Sequence, residues 1–300
     1  MGETIVAIAG TPTGETVATV LALVSAVAHA AFGALQKGRH DPWITRSAID
    51  LCYCLIALPF ALFVFPLPDA QLWLVLGGVF VIHTAYKWLM AMAYSRGAFT
   101  AVYPVVRGTG PLATVVFAFL VFGETFRPVQ WAGVILLSGA IMGLALVNVR
   151  DMEEVGRRAL RAALGFAFLT GLMTAAYTTY DAFGIRLAAD PFTFLAWFFV
   201  VDGLLFPALG VVWYRRMAVK PALGPLLARG VAGALIAYVS FGSVMLATRL
   251  DKVGEAAALR ETSVVFAALI GWAVLGERVG WRQAGLMVMI AAGAVLVEMG

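Results

Sequence analysis

The residues best suited to chemistry in this chain form a repeated motif. Arg107-x-Thr109 lies in the first half, and Arg260-x-Thr262 follows 153 residues later. A Gly-Glu pair follows each at the same distance, Gly123-Glu124 and Gly276-Glu277. A guanidinium binds carboxylate or phosphonate oxygens through charge-assisted hydrogen bonds. The repetition therefore predicts a site for an anionic group, built from two copies of one unit.

Both arginines lie in strongly apolar segments, which indicates a membrane protein. Hydrophobic residues make up 62% of the 300 residues and charged residues 13%, with a mean hydropathy of +0.92. Soluble domains carry about 25% charged residues, so this chain has too little polar surface for a soluble globule. An intramembrane arginine costs about 2.5–3.5 kcal/mol on insertion scales, which favours a functional reason for two of them. The net charge is only +4, and a nucleic-acid partner is not expected.

Ten apolar stretches approach or exceed the length of about 20 residues that crosses a bilayer. They lie at 14–36, 45–65, 72–94, 97–122, 129–148, 162–184, 191–213, 227–249, 253–275 and 281–298. We therefore predict an all-α membrane protein with ten transmembrane helices. The longest polar connection divides the spans five and five. The predicted boundaries are 1–148 for the first repeat, 149–161 for the connection and 162–300 for the second repeat.

The two halves also share an acidic residue inside an apolar span. Asp50 in the first half matches Asp202 in the second at an offset of 152. Because each repeat has five spans, an odd number, the second copy must enter the bilayer in the opposite sense. The sequence predicts two inverted five-helix repeats related by an axis in the membrane plane.

No pattern for a cofactor or for enzymatic catalysis is present. The sequence has no Gly-x-x-x-x-Gly-Lys phosphate loop and no Cys-x-x-Cys or comparable metal-ligand spacing. No nucleophile, base and orienting group share one predicted helix face, so we do not expect an enzyme. Cys52 and Cys54 are two residues apart and would point to different faces of a helix, which disfavours a mutual disulfide.

Two strings within the repeats resemble those of a known transporter family. Val102–Pro111 is similar to the fourth helix, and Leu259–Phe266 to the ninth helix, of the EamA group of the drug/metabolite transporter superfamily. The resemblance covers nearly the whole chain. It implies secondary transport, often export of amino acids or other small metabolites, and leaves the substrate open.

The resemblance also bears on helix continuity and on substrate class. Pro111 matches the family's helix-breaking proline, whereas Val264 stands where the second copy often has proline. A ninth helix that is less broken than the fourth is therefore expected. The pattern of Lys87, Tyr103 and Arg107 resembles, as a weaker match, a subgroup associated with phosphonate utilisation.

Polar side chains inside the spans recur with helical spacing, which places them on shared faces. Charged groups there must pair or face water, because an unpaired charge in lipid is costly. The predicted substrate-binding residues are Lys87, Tyr103, Arg107, Arg260, Tyr177, Asp181, His83 and His29. The predicted coupling or gating residues are Glu261 and Asp202. We expect the first six substrate-binding residues to line one central cavity.

Structural alternatives exist for these residues. Arg107 and Arg260 are also suited to clamping a carboxylate on a neighbouring helix. Asp50 and Asp202 are also suited to bracing the two repeats against each other. The Gly139-x-x-x-Gly143 motif permits close helix packing, and we expect an intramolecular contact rather than a dimer contact there. A monomer or a weak homodimer is expected.

The distribution of basic residues predicts an orientation. The odd-numbered connections, with Arg46 counted in the first of them, hold 14 Lys and Arg residues, and the even-numbered ones hold 4. By the positive-inside rule the odd connections face the cytoplasm and both termini lie outside. Known proteins of the resembling family suggest the opposite orientation of the termini.

The combined prediction is a secondary active transporter of a small polar metabolite in the inner membrane, working by alternating access. Lys87, Arg107 and Arg260 favour an organic acid, a phosphonate or another anionic or zwitterionic solute. Protons are a candidate coupling ion through His83 or a carboxylate. The alternatives are an amino-acid exporter, with Asp181 and Glu261 receiving the amino group, and a membrane receptor or assembly protein that transports nothing.

Overall fold

Long apolar helices make up almost all of the chain. The computed structural model describes residues 2–36, 41–96, 99–150, 157–275 and 280–300. The helices in these ranges are α1 (Gly2–Ile8), α2 (Pro12–Gln36), α3 (Pro42–Phe63), α4 (Ala70–Arg96), α5 (Phe99–Phe122), α6 (Pro128–Arg150), α7 (Arg157–Leu187), α8 (Pro191–Asp202), α9 (Leu205–Arg216), α10 (Leu223–Leu250), α11 (Val253–Arg260), α12 (Ser263–Leu275) and α13 (Trp281–Glu298).

The predicted membrane spans are confirmed. Among the described residues, nine helical stretches are long and apolar enough to cross a bilayer, and a tenth, shorter apolar stretch covers Pro128–Leu144 in α6. Large apolar side chains cover their outer faces, with Phe63 84% and Leu74 78% exposed, as lipid-facing positions require. The short helix α1 was not predicted. It ends at a turn where Gly10 has φ +70° and donates its N–H to the Leu250 carbonyl.

Two helices at corresponding positions of the repeats begin with the same chemistry. Asp41 precedes Pro42 at the start of α3, and Asp190 precedes Pro191 at the start of α8. Each aspartate accepts hydrogen bonds from backbone N–H groups of the first helical turn, and proline at the first position needs no N–H partner. The Asp-Pro dipeptides therefore define where these two spans start.

The seventh predicted span is split into α8 and α9. The break lies at Gly203 and Leu204, directly after Asp202. Pro207 has no N–H to donate to the carbonyl of Gly203, four residues earlier, and its ring disfavours a continuous helix at that point. Gly203 also lies against α3, where an added Cβ would be 2.8 Å from the Asp50 carbonyl oxygen. The discontinuity therefore has both a local and a tertiary cause.

The expectation about the fourth and ninth helices is wrong. α5 is continuous through Pro111, whereas the ninth span is divided into α11 and α12 at Glu261 and Thr262. At the break, backbone N–H groups bond three residues back, and the Thr262 hydroxyl donates to the Leu259 carbonyl at 2.7 Å. Hydroxyl side chains that bond nearby backbone groups compete with the helical ladder. No proline is needed to interrupt the helix.

Glycine in α5 serves packing rather than unwinding. An added Cβ at Gly108 would lie 2.9 Å from the Met142 side chain and 3.2 Å from the Ser138 carbonyl oxygen of α6. The absence of a side chain therefore lets α5 approach α6 closely. In α5 the Thr114 hydroxyl donates to the Gly110 carbonyl at 2.9 Å, the bond that a threonine inside a helix commonly makes to the carbonyl four residues earlier.

The described chain folds into two units that do not follow the two repeats. Unit 1 comprises Met1–Thr84 and Phe183–Leu250, and unit 2 comprises Ala85–Ala182 and Asp251–Gly300. Each unit therefore takes elements from both halves of the sequence. The predicted boundary at 149–161 separates repeats along the chain and does not separate these units. Residues 151–156 of that connection, and the Gly276-Glu277 pair, lie outside the described residues.

In unit 1, α10 packs along α2 and α3, and α3 packs on α8 and α9. In unit 2, α6 packs along α5 and α13, and α11 packs on α5 and α13. A close crossing in unit 2 pairs Gly133 with Gly293, where an added Cβ at either would lie within 2.7 Å of the other's carbonyl oxygen. Gly143 of the predicted packing motif faces Leu286 of α13, so this contact is intramolecular.

Candidate functional site

The two repeated arginines meet at one carboxylate in unit 2. Arg107 Nε of α5 lies 2.9 Å from Glu261 Oε2, and Arg260 Nη2 lies 3.9 Å from Glu261 Oε1. All three side chains are buried, at 5%, 2% and 2% exposure for Arg107, Arg260 and Glu261. The N–H of Arg107 Nε is not aligned with the carboxylate, so the 2.9 Å contact is an ion pair without hydrogen-bond geometry. We call these three residues the arginine cluster.

The arginines of this cluster differ in how they are held. Arg107 also donates from Nη2 to the Ser263 hydroxyl at 2.9 Å, so it fixes α5 to the first residue of α12. Arg260 ends α11 at the helix break, and its closest ionic contact among the described residues is the 3.9 Å approach to Glu261. The Nε of Arg260 has no hydrogen-bond partner in the described part of the chain. The Nε of Arg107 lacks a partner there too, but Arg107 uses Nη2 for Ser263, so Arg260 has more unused donors than Arg107.

Aromatic side chains surround Arg107. Its guanidinium carbon lies 5.8 Å from the ring centre of Tyr103, within the range of a cation–π contact. Tyr86 and Tyr177 pack edge to face with ring centres 4.8 Å apart, and both lie close enough to interact electrostatically with Arg107. The predicted residues Tyr103, Tyr177, Arg107 and Arg260 therefore come together.

Lys87 and Asp181 are buried in the same unit, at 7% and 3% exposure. They lie on α4 and α7, as predicted. Their place in one cavity with Arg107 and Arg260 stays a prediction.

The Gly123-Glu124 pair holds the end of α5 to the start of α11. Gly123 has φ +67°, and the N–H groups of Gly123 and Glu124 bond back to the carbonyls of Phe119 and Ala118. A glycine in this left-handed conformation commonly terminates helices. The Glu124 carboxylate then accepts hydrogen bonds from the N–H of Val253 at 2.9 and 3.0 Å. This negative charge at a helix N-terminus stabilises α11 and fixes its position against α5.

A second group of charged side chains lies in unit 1 and is called the aspartate cluster. Arg46 Nε lies 2.7 Å from Asp50 Oδ1, and its Nη2 lies 3.9 Å from Asp202 Oδ2. His83 Nδ1 lies 3.5 Å from Asp202 Oδ1. The Tyr53 hydroxyl donates to Asp202 Oδ2. The matched aspartates of the two repeats therefore lie in one ionic group, with Asp202 at the break between α8 and α9.

His29 of α2 contacts residues of α10. Its Nδ1 is 3.4 Å from the Ser240 hydroxyl of α10, and its ring contacts Phe241 edge to face at 6.3 Å. Both contacts are within unit 1. These contacts suit a hydrogen-bonded histidine between two packed helices. A contact between His29 and substrate stays a prediction.

Both clusters follow the same arrangement. In each, a residue of a continuous first-repeat helix, Asp50 or Arg107, is grouped with its second-repeat counterpart at a helix break, Asp202 or Arg260. Charged residues at interrupted membrane helices are typical of secondary transporters, where free backbone groups and side chains bind substrates and ions.

The family assignment agrees with this geometry. The sequence profile of the EamA-like transporter family matches residues 16–148 and 161–299, one domain in each half of the chain. The chain belongs to the EamA-like transporter family. The resemblance noted in the sequence is thereby confirmed, and the EamA-like transporter is an integral membrane protein of the drug/metabolite transporter superfamily, a generally non-enzymatic group.

A solved crystal structure is similar in fold to this EamA-like transporter. It superposes with a TM-score of 0.72 over 95% of this chain and 98% of that chain, at 15% sequence identity. Such a likeness shows the fold alone and supports the predicted two-repeat architecture. No curated protein sequence matches the chain.

The structure of the EamA-like transporter also includes residues that sequence reasoning missed. Arg46 was counted as a loop cation, but it lies in the second turn of α3 and pairs with Asp50. The signal was available, because oppositely charged residues four apart on a helix form pairs. Tyr53 and Ser263 had no comparable signal, since a lone hydroxyl in an apolar span is common. The sequence did not show that the Glu124 carboxylate accepts hydrogen bonds from Val253, because the two residues are far apart in the chain.

Proposed function

We propose that this EamA-like transporter is a secondary active transporter for a small anionic solute, an organic acid or a phosphonate, in the bacterial inner membrane. The observation that carries the proposal is the imbalance of charge in the arginine cluster. Two buried guanidinium groups share one carboxylate, Glu261, among the described residues. A buried excess of positive charge is costly unless an anion compensates it.

Arg260 is the principal anion contact in this proposal. Arg107 donates a hydrogen bond to Ser263 and lies 2.9 Å from Glu261, whereas the contact of Arg260 with Glu261 is 3.9 Å long. Its position at the end of α11 places the guanidinium where a planar, bidentate contact with a carboxylate or phosphonate is favourable. Tyr103 and Tyr177, close to Arg107, would complete the site with hydroxyl groups. Alternating access would open this binding site first to one side of the membrane and then to the other.

The alternatives have less support. An exported amino acid needs a carboxylate for its ammonium group, and Glu261 already contacts both arginines. Asp181, buried in unit 2, is a second carboxylate suited to an ammonium group, so zwitterionic substrates belong in the test. A receptor or assembly protein without transport would not need a charged group at each of two helix breaks.

Uptake by proteoliposomes tests the proposal. Purified protein is reconstituted, and exchange of labelled phosphonoacetate, methylphosphonate, succinate, glutamate and alanine is measured against protein-free liposomes. We expect saturable exchange of at least one anion, and Arg260→Gln should raise its KM or abolish exchange. Arg282→Gln, which removes an exposed cation at the start of α13, is the matched control and should change neither. Exchange of alanine alone would favour the amino-acid alternative, and exchange of nothing by folded protein would favour a receptor.

A further inference from the structure

The aspartate cluster is a second titratable site that the anion-binding proposal does not use. His83 and Asp202 lie 3.5 Å apart through Nδ1 and Oδ1, with side chains 5% and 7% exposed. Histidine is the side chain that ordinarily changes its charge near neutral pH. A buried imidazole against a buried carboxylate changes from a neutral contact to an ion pair when it takes up a proton.

The groups that face this pair come from several helices. α3 contributes Arg46, Asp50 and Tyr53, and Tyr238 of α10 donates its hydroxyl to the Tyr53 carbonyl. Arg46 is close to Asp50, at 2.7 Å, and more distant from Asp202, at 3.9 Å. Asp202 thus presents Oδ2 to Tyr53 and Arg46, and Oδ1 to His83. The Asp202 carboxylate therefore contacts residues of α3 through one oxygen and the imidazole on α4 through the other.

The pair is placed at a point where the backbone is interrupted. Asp202 is the last residue of α8, and the following Gly203 packs within contact of α3. The His83 ring also contacts Phe198, one turn earlier in α8, edge to face at 5.1 Å. A change in the charge of His83 therefore acts on both the end of α8 and its joint with α9. A ligand that binds one arrangement of a two-state element better shifts the population towards it, and a proton is such a ligand.

We propose that His83 and Asp202 form the proton-binding pair that couples transport to the proton gradient. The proposal rests on the transport function proposed above and gives His83 a role other than substrate contact. A proton from one side of the membrane binds the neutral imidazole and makes an imidazolium paired with the Asp202 carboxylate. After the helices rearrange, the proton leaves to the other side and the neutral imidazole returns. No covalent bond to the solute forms.

Transport under an imposed pH gradient tests the coupling. In proteoliposomes, the panel anion with the fastest exchange is followed in two modes: exchange at equal pH, and net accumulation driven by a pH gradient of either sign. Wild-type protein should show both modes. Asp202→Asn should retain exchange and lose gradient-driven accumulation and the accompanying proton flux. Glu15→Gln, an exposed carboxylate at the start of α2, is the matched control and should retain everything.

A second measurement needs no substrate. The chain has 3 histidines, so the ring signals of isotopically labelled histidine can be assigned by NMR using His83→Gln and His29→Gln. If His83 binds the proton, its ring signals should change as the pH is varied over the range in which the protein stays folded. Asp202→Asn should alter that response, because it removes the carboxylate that lies 3.5 Å from the ring.

The possible results separate a failure of the proton-coupling proposal from a failure of the proposed transport function. The coupling proposal is overturned if Asp202→Asn accumulates anion as well as wild type, if it loses exchange too, or if wild type exchanges anion without responding to a gradient of either sign. If wild-type protein exchanges no panel compound, the proposed function fails instead. The NMR titration then decides the proton site by itself: a His83 ring that keeps one charge state across the range overturns it.

Discussion

Arg107 and Arg260, equivalent residues of two repeats, contact the same carboxylate, that of Glu261. One arginine lies inside a continuous helix and the other at the end of an interrupted one. The contact therefore ties the intact helix of the first repeat to the break in the second. Arg107 has the contacts expected of a clamp, and our proposal assigns the remaining donors of Arg260 to a solute.

Substitution of the two arginines should separate these roles. Arg107→Ala leaves the buried Glu261 with only the 3.9 Å contact to Arg260. Removal of one partner of a buried ion pair costs about 3–5 kcal/mol, so the free energy of unfolding should fall by about that amount. Arg260→Ala leaves Glu261 its 2.9 Å partner and should cost less stability, while anion exchange falls more steeply than folding does.

Thermal unfolding of the purified protein in detergent, measured beside exchange in proteoliposomes, checks this pair of expectations. Arg107→Lys is the informative intermediate, because lysine keeps the charge and loses the planar fork. It should recover part of the lost stability. Equal destabilisation by Arg107→Ala and Arg260→Ala would mean that both arginines are clamps, and would remove the main support for an anionic solute.

The Gly123-Glu124 pair should be sensitive to small changes. Gly123 has φ +67°, and alanine in the left-handed region costs about 1–2 kcal/mol. Space is not the difficulty, since no atom lies within 4 Å of an added Cβ at Gly123. Gly139→Ala in α6, where an added Cβ also meets nothing, is the control and should be neutral or slightly stabilising.

Glu124→Gln should destabilise the protein for a different reason. The amide keeps an acceptor oxygen for the N–H of Val253 but removes the negative charge from the N-terminus of α11. The expected loss is about 0.3–1 kcal/mol in the free energy of unfolding, the usual size of a charge–dipole contribution at a helix end. Glu124→Ala removes the acceptor as well and should cost more. A melting temperature that is the same for both variants and the wild type would show that this contact does not stabilise the fold.

Much of this architecture follows from local sequence properties. Span length and hydropathy locate the helices, and the spacing of Arg107 and Arg260 predicts their equivalence. The helix breaks do not follow in the same way, because a proline in the sequence is neither sufficient nor necessary for them. Pro111, which predicted an interruption, lies in a continuous helix, whereas the interruption at Glu261 has no proline. At that interruption the Thr262 hydroxyl donates to the Leu259 carbonyl, and Arg107 bonds Ser263, the first residue of α12.

The candidate site was predictable in composition but not in arrangement. Reading helix faces grouped His83 with Lys87, since they are four residues apart on α4. The described contacts of His83 are instead with Asp202 and Phe198, in a different unit from Lys87. One helix face can serve two sites along its length, and periodicity contains no information about which neighbour each position meets.

The break after α8 should depend on the absence of a side chain at residue 203. In Gly203→Ala the new Cβ would lie 2.7 Å from the Cys54 Cβ and 2.8 Å from the Asp50 carbonyl oxygen, so α3 or α8 must move. Overpacking of this kind costs about 1–3 kcal/mol in the free energy of unfolding. Gly242→Ala in α10, buried but with nothing within 4 Å of an added Cβ, is the control and should be tolerated. Equal melting temperatures for the two variants would show that the close approach to α3 is not required.

Orientation in the membrane can be decided at the two ends of α10. Arg46 pairs with Asp50 inside unit 1, and leaving it out of the count changes the imbalance of basic residues only from 14 against 4 to 13 against 4. Arg215, near the end of α9, is predicted to face the cytoplasm, and Asp251, just after α10, the outside. A helix of 28 residues is about 42 Å long, enough to hold these positions on opposite sides. In a background with Cys52→Ala and Cys54→Ala, Asp251→Cys should react with an impermeant maleimide in intact cells, and Arg215→Cys only after permeabilisation. The reverse pattern would show that the termini lie inside and that the charge count is misleading for this protein.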